Sequence, residues 1–103
     1  MCGIAGVLRF RGETVADEAL WAMARTLHHR GPDESSIWSN GTVGFAHTRL
    51  SIIDLRASHQ PMHAVDGSWS LVFNGEIFNY RDLRKALDYP FQTEGDTEVL
   101  LAG

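Results

Sequence analysis

Cys2 is the only cysteine of this 103-residue chain, and removal of Met1 would give it a free α-amino group beside its thiol. The two groups together form a nucleophile and a base, because an amine with a reference pKa of about 7.7–8.0 can take the proton of a thiol whose own is about 8.5. A lone cysteine is otherwise a small buried hydrophobe. Position argues for chemistry here: a terminal residue usually frays, whereas this one runs straight into the apolar stretch Gly3-Ile4-Ala5-Gly6-Val7-Leu8. Attack on a carbonyl needs donors for the oxyanion, and Asn74 with Gly75 offers a side-chain amide and an unhindered backbone N–H. The same Asn-Gly pair between hydrophobic residues also reads as a two-residue hairpin turn. Arg49, set between apolar runs, has to reach solvent, a partner carboxylate or a ligand carboxylate. With Glu76 and Asp96 it suits a substrate bearing both an α-carboxylate and an α-ammonium, Asp33 and Asp54 being further acidic candidates.

Other chemistries find less support. His28 and His29 are adjacent and point apart on a helix, while His59 and His63 straddle Pro61, so with no cysteine pair and no H-E-x-x-H no metal site is expected. No glycine-rich phosphate loop is present. Net charge is −4, from 9 basic and 13 acidic residues without a long basic cluster, which argues against nucleic acid as a partner. No apolar run is long enough to cross a bilayer, so no membrane association is expected. One cysteine and no secretory signal pattern fit the cytoplasm.

The elements that must position these residues follow from spacing. Gly3 to Phe10 reads as a strand buried on both faces, followed by a turn at Gly12. Ala16, Leu20, Met23, Ala24 and Leu27 recur at helical spacing within Val15 to His29, with Thr14 as N-cap and Asp17 in the first turn. Arg30-Gly31-Pro32-Asp33 stops that helix, Pro32 by restricting its predecessor and Gly31 by tolerating positive φ. Ser36–Ser39 and Val43–His47 flank Asn40-Gly41 and predict a hairpin. Leu50–Leu55 reads as a further strand, 57–67 as a polar loop and Trp69–Phe73 as a strand. Asn79 caps a helix over Tyr80–Leu87 with Leu83, Ala86 and Leu87 on one face. Asp96 or Thr93 starts a last helix. An apolar fraction of 44% permits one modest packed unit, and no repeat or linker divides it.

Taken in order, Met1-Cys2-Gly3-Ile4-Ala5-Gly6, His29-Arg30-Gly31-Pro32-Asp33, His47-Thr48-Arg49-Leu50-Ser51-Ile52-Ile53-Asp54, His59-Gln60-Pro61-Met62, Phe73-Asn74-Gly75-Glu76-Ile77-Phe78-Asn79-Tyr80-Arg81 and Phe91-Gln92-Thr93-Glu94-Gly95-Asp96-Thr97-Glu98 span nearly the whole chain. This series resembles class II, N-terminal-nucleophile glutamine amidotransferases, and within them the glutaminase domain of the asparagine-synthetase type. Amidotransferases of the phosphoribosyl and glucosamine phosphate pathways share the start but usually carry an aromatic residue where Leu50 follows Arg49. The resemblance implies an α+β fold that is part of a four-layer α/β/β/α sandwich, two antiparallel sheets flanked by helices. It implies that residues 1–103 are the N-terminal portion of such a domain, incomplete at its C-terminus. It further implies that Cys2 attacks the side-chain amide of glutamine, that Asn74 and Gly75 form the oxyanion hole, that Arg49 holds the α-carboxylate, and that Glu76 and Asp96 bind the α-ammonium. No cofactor is expected in this domain. ATP and magnesium belong to a C-terminal synthetase domain or partner chain that receives the ammonia, and a homodimer is among the assemblies the resemblance admits. The alternatives are an inactive, truncated or pseudo-glutaminase module with an interaction or regulatory role, and amidation of a metabolite other than aspartate.

Overall fold

The computed structural model describes residues 1–50 and 59–103. The expected strand over Leu50–Leu55 beyond Leu50 itself, Asp54 within it, and the start of the 57–67 loop lie outside the described residues.

Among the described residues, two antiparallel sheets and three helices build an α+β fold. The larger sheet holds β1 (Gly3–Leu8), β2 (Glu34–Asn40) and β3 (Val43–Arg49) in the order β1-β3-β2, and the smaller one pairs β4 (Met62–His63) with β5 (Ser70–Leu71). The predicted hairpin forms with Asn40 opposite Val43, so its central residues are Gly41 and Thr42. Gly41 takes φ +60, and no non-glycine residue among those described has a positive φ, the pattern of a type II′ turn led by glycine.

Helix α1 (Asp17–Thr26) lies on one face of this sheet. Leu20 and Ala24 are buried, as the periodicity requires, and the strand beneath makes room: a Cβ on Gly44 would come within 2.8–3.0 Å of Leu20 and Val15. Burying a leucine side chain completely contributes about 1.5–3 kcal/mol. The helix end is tied down by Thr48, whose hydroxyl donates at 3.1 Å to the Leu27 carbonyl, an oxygen that also accepts the Arg30 N–H at 2.9 Å. Thr14 is not the cap. Ala16 holds that position without a side-chain bond, and Asp17 and Glu18 in the first turn complement the helix dipole instead.

β1 is not buried on both faces. It alternates, and Ile4 (45% exposed) and Leu8 (55%) face outward from the side opposite α1, because one helix covers one face only. That second face is partly roofed by β4, where the His63 ring meets Trp38, itself packed on Phe45. The strand expected over Trp69–Phe73 is confined to Ser70 and Leu71. α2 (Tyr80–Ala86) and α3 (Asp96–Ala102) pack together, and α3 also touches β4. Asn79 stands at the N-cap of α2 without a side-chain bond, and Leu83 on that helix is 40% exposed.

Candidate active site

The β1–β3 register runs Gly3 to Thr48, Ile4 to His47 and onward, so one further step sets Cys2 across from Arg49. Cys2 is half-buried; its sulfur accepts the Leu50 N–H at 3.4 Å and lies 3.9 Å from the Leu50 carbonyl. Its main-chain carbonyl accepts Arg30 Nε at 3.1 Å, so two segments that the sequence places 28 and 48 residues away fix the head of β1. Met1, by contrast, is 70% exposed. The frayed terminus ends where Cys2 begins.

The 30–33 segment bonds to the same place. Pro32 bridges to Arg49 and the Asp33 N–H donates to the Arg49 carbonyl at 3.0 Å. Gly31 does not have positive φ, contrary to expectation. Its lack of a side chain serves close approach: a Cβ there would fall 2.4 Å from the Thr48 carbonyl carbon and 2.5 Å from Arg49 N. The Arg49 side chain is nearly buried and reaches Glu34 on β2 at 3.4 Å, while His59 Nδ1 meets the other Glu34 oxygen at 2.7 Å.

His47 is the third polar group on this face, 2% exposed, with Nε2 lacking a hydrogen-bond partner among the described residues. Burial first, then the Arg49 guanidinium, push its imidazole below the ordinary 6.5, against weaker opposing pulls from Glu34 and the Phe73 backbone.

Asn74 and Gly75 follow β5 on an irregular segment and lead into α2, so no hairpin forms at them. That segment is held at both ends. The Phe73 N–H donates to Gln60 Oε1 at 2.6 Å, and the Gln60 carbonyl in turn accepts the Ser36 hydroxyl of β2. At the far end the Ile77 N–H donates to Asp96 Oδ2 at 2.9 Å, which puts Asp96 next to the exposed Glu76. Asp96 opens α3 and Gly95 caps it.

The six predicted residues therefore fall into two groups, Cys2 with Arg49 and Asn74-Gly75-Glu76 with Asp96. The hydrogen bonds among the described residues hold each group separately. Sequence reasoning missed Glu34, His47, Gln60 and Glu98 as supports. Glu98, 4% exposed, stands three residues after the Gly95 cap and accepts both backbone N–H groups of Gln92 and Thr93 and the Thr93 hydroxyl at 2.6–3.0 Å. Its spacing from the helix start is the signal that could have found it. A cleft of about 590 Å³ lined by Tyr80, Arg81, Arg84, Lys85, Phe91 and Glu94 contains none of the predicted site residues.

The structure thus brings the single thiol, fixed at the head of β1, across from a nearly buried guanidinium. The model of the glutamine amidotransferase domain family matches residues 1–103. The chain belongs to that family. It is 38% identical over 107 residues to glutamine-hydrolyzing asparagine synthetase 3 of Bacillus subtilis, covering 98% of this chain and 17% of the relative. Asparagine synthetase 1 of the same organism is 42% identical over 110 residues, with 99% and 17% covered. A glutamine-hydrolyzing asparagine synthetase of Brassica oleracea is 41% identical over 102 residues, with 97% and 17% covered. The amidotransferase chain thus spans about a sixth of the length of each of these relatives.

Proposed function

We propose that this chain is the glutaminase portion of a glutamine-dependent amidotransferase of the asparagine-synthetase type. The observation that carries the reading is the placement of Cys2, the single thiol, at the secured head of β1 across from Arg49.

Once Met1 is removed, the Cys2 amine takes the thiol proton as sulfur bonds to the glutamine side-chain carbonyl carbon. The oxyanion that forms accepts hydrogen bonds from the Asn74 amide and the Gly75 N–H. The same amine returns its proton to the departing nitrogen, the C–N bond breaks, and ammonia leaves a thioester on Cys2. Water, deprotonated by the amine, then attacks the thioester, and the C–S bond breaks to release glutamate and regenerate the thiol. Arg49 pairs with the substrate α-carboxylate, and Glu76 and Asp96 take the α-ammonium. The ammonia passes to a synthetase domain or partner chain, where ATP and magnesium supply the activation; the names and the far greater length of the relatives support this. Among the described residues no helix is long and apolar enough to cross a membrane, and we place the protein in the cytoplasm.

On this reading the β1-β3-β2 sheet is one of the two sheets of a four-layer sandwich, of which residues 1–103 form a portion. The outward Ile4 and Leu8, opposite the helix-covered face, support a second layer packing there. An inactive module is not favoured, since the nucleophile, its fixing contacts and the Asn74-Gly75 pair are all present.

The test is glutamate release from glutamine by the whole protein, measured for wild type and Cys2→Ala. Activity is expected to vanish in the variant; an unchanged rate, or active material that still carries Met1, refutes the mechanism.

A further inference from the structure

The two groups of the candidate site are held separately, and Gln60 reaches toward both with different oxygens. The Ala64 N–H donates to the Trp69 carbonyl at 2.9 Å, and Met62 lies opposite Leu71 in the β4–β5 pair. Bonded pairs recur at every second residue of an antiparallel ladder, so the same register carried onward sets Gln60 opposite Phe73 at a bonding position. The rung there is made by a side chain: the Phe73 N–H donates to Gln60 Oε1 at 2.6 Å. The Gln60 main-chain carbonyl turns to β2 and accepts the Ser36 hydroxyl. Its neighbour His59 meets Glu34 of the same strand at 2.7 Å, and Glu34 reaches Arg49 at 3.4 Å. The side chain that holds Phe73 is thus rooted on the strand that carries the partner of Arg49. What it holds matters for Gly75, because a Cβ on that glycine would fall 2.8–3.0 Å from the Phe73 ring. Fixing the Phe73 N–H fixes its rigid peptide plane and leaves only the soft dihedrals of Phe73 before the plane that leads into Asn74. The far end of the stretch is held by Asp96 through the Ile77 N–H.

We propose that Gln60 is a positioning residue: its side-chain carbonyl ties the Phe73–Gly75 segment to β2 and so sets the oxyanion donors at a fixed spacing from the Cys2 and Arg49 end of the sheet. The kinetic part of this rests on the glutaminase reading, while the structural part does not. Misplacing donors by about 1 Å can cost on the order of a hundredfold in rate.

The experiment uses the whole protein with Gln60→Leu, which removes the acceptor, and Gln60→Glu, which keeps an acceptor oxygen at the same reach. Hydrogen exchange at the Phe73 amide and steady-state glutaminase kinetics are compared with wild type. In Gln60→Leu the Phe73 amide is expected to exchange about tenfold faster or more while the β1 and β3 amides keep their protection. Its kcat should fall roughly ten- to a hundredfold, with the glutamine KM within about threefold because Arg49 and the Asp96 end stay in place. Gln60→Glu is expected to restore the Phe73 protection and recover most of kcat. Unchanged exchange at Phe73 in Gln60→Leu overturns the proposal whatever the kinetics. Equal damage in both variants, or loss of protection across β1 and β3, also overturns it, since general packing would then be at stake. If wild type releases no glutamate, the glutaminase reading fails, and the exchange rates still decide whether Gln60 holds the segment.

Discussion

Gly31→Ala should be one of the most damaging single-methyl changes in this chain. A Cβ at that position would lie 2.4 Å from the Thr48 carbonyl carbon, 2.5 Å from Arg49 N and 2.6 Å from the Thr48 oxygen. Ordinary contact is about 3.5 Å or more, so roughly 1 Å of movement is required. All three atoms are main chain of β3, the middle strand of its sheet, which is hydrogen-bonded on both edges and cannot yield. The 30–33 segment must move instead. Overpacking of this kind costs about 1–3 kcal/mol, and separating the Asp33 N–H from the Arg49 carbonyl, now 3.0 Å apart, costs about another 1 kcal/mol. The alanine recovers about 0.4–1 kcal/mol by restricting the unfolded chain, leaving a net loss of about 1–3.5 kcal/mol. For a domain of about this size that lowers the melting midpoint by roughly 4–28 °C. Calorimetry of the whole protein reads the shift. Gly6→Ala is the control, because its Cβ would meet only the Phe45 ring at 3.4 Å and the Gly44 carbonyl at 3.6 Å, and its effect should stay within about 1 kcal/mol. Equal melting midpoints for wild type and Gly31→Ala would refute the close-approach argument.

Arg49→Ala should raise the glutamine KM by roughly ten- to a hundredfold through loss of a charge-assisted pair worth about 1.5–3 kcal/mol, with a smaller effect on kcat; a normal KM contradicts the carboxylate assignment. Glu98→Ala strips the Gln92 and Thr93 N–H groups of their acceptor, and a loss of about 2–4 kcal/mol should appear in urea unfolding. The third expectation concerns pH. His47 has a folded-state pKa below the ordinary 6.5, so below that value the unfolded chain binds more protons than the folded one. Its stabilising contribution is complete above 6.5 and is lost as pH falls from there toward the folded pKa, with a slope of at most about 1.4 kcal/mol per pH unit. Urea melts across this range should show the slope in wild type and its reduction in His47→Asn.

Residues whose role depends on local pattern were legible in the sequence. The Leu20 and Ala24 stripe, the turn at Gly41 and the opening of α3 at Asp96 follow from periodicity and turn chemistry within a few neighbours. Residues whose role depends on a distant main chain were not. Gly31 looks like a helix stop with left-handed freedom, and only the return of β3 eighteen residues later shows that its value is the missing Cβ. Asn74-Gly75 fits a hairpin by local rules, and none forms there because α2 rather than a strand comes next. The burial of β1 was overestimated for the same reason: an apolar run says that a strand wants cover, while the count of covering layers is a tertiary fact. Glu34 and Gln60 are ordinary polar letters until β2 brings one to Arg49 and the other to the segment before Asn74.

The electrostatics of the Cys2 face then have one logic. Arg49 is nearly buried, and an imidazole two residues away on the same side of β3 would, if protonated, put a second cation beside it. The fold answers with burial, which disfavours the protonated ring of His47, and with Glu34, whose carboxylate lies 3.4 Å from the guanidinium. On the proposed function, an incoming α-carboxylate would bring a second negative charge close to Glu34. His59, 2.7 Å from the other Glu34 oxygen and largely exposed, is placed to draw part of that charge outward toward solvent. On the proposed assignment of Arg49, affinity for an amino-acid carboxylate would be a balance set on β2 and β3 together, with Glu34 offsetting part of the guanidinium charge.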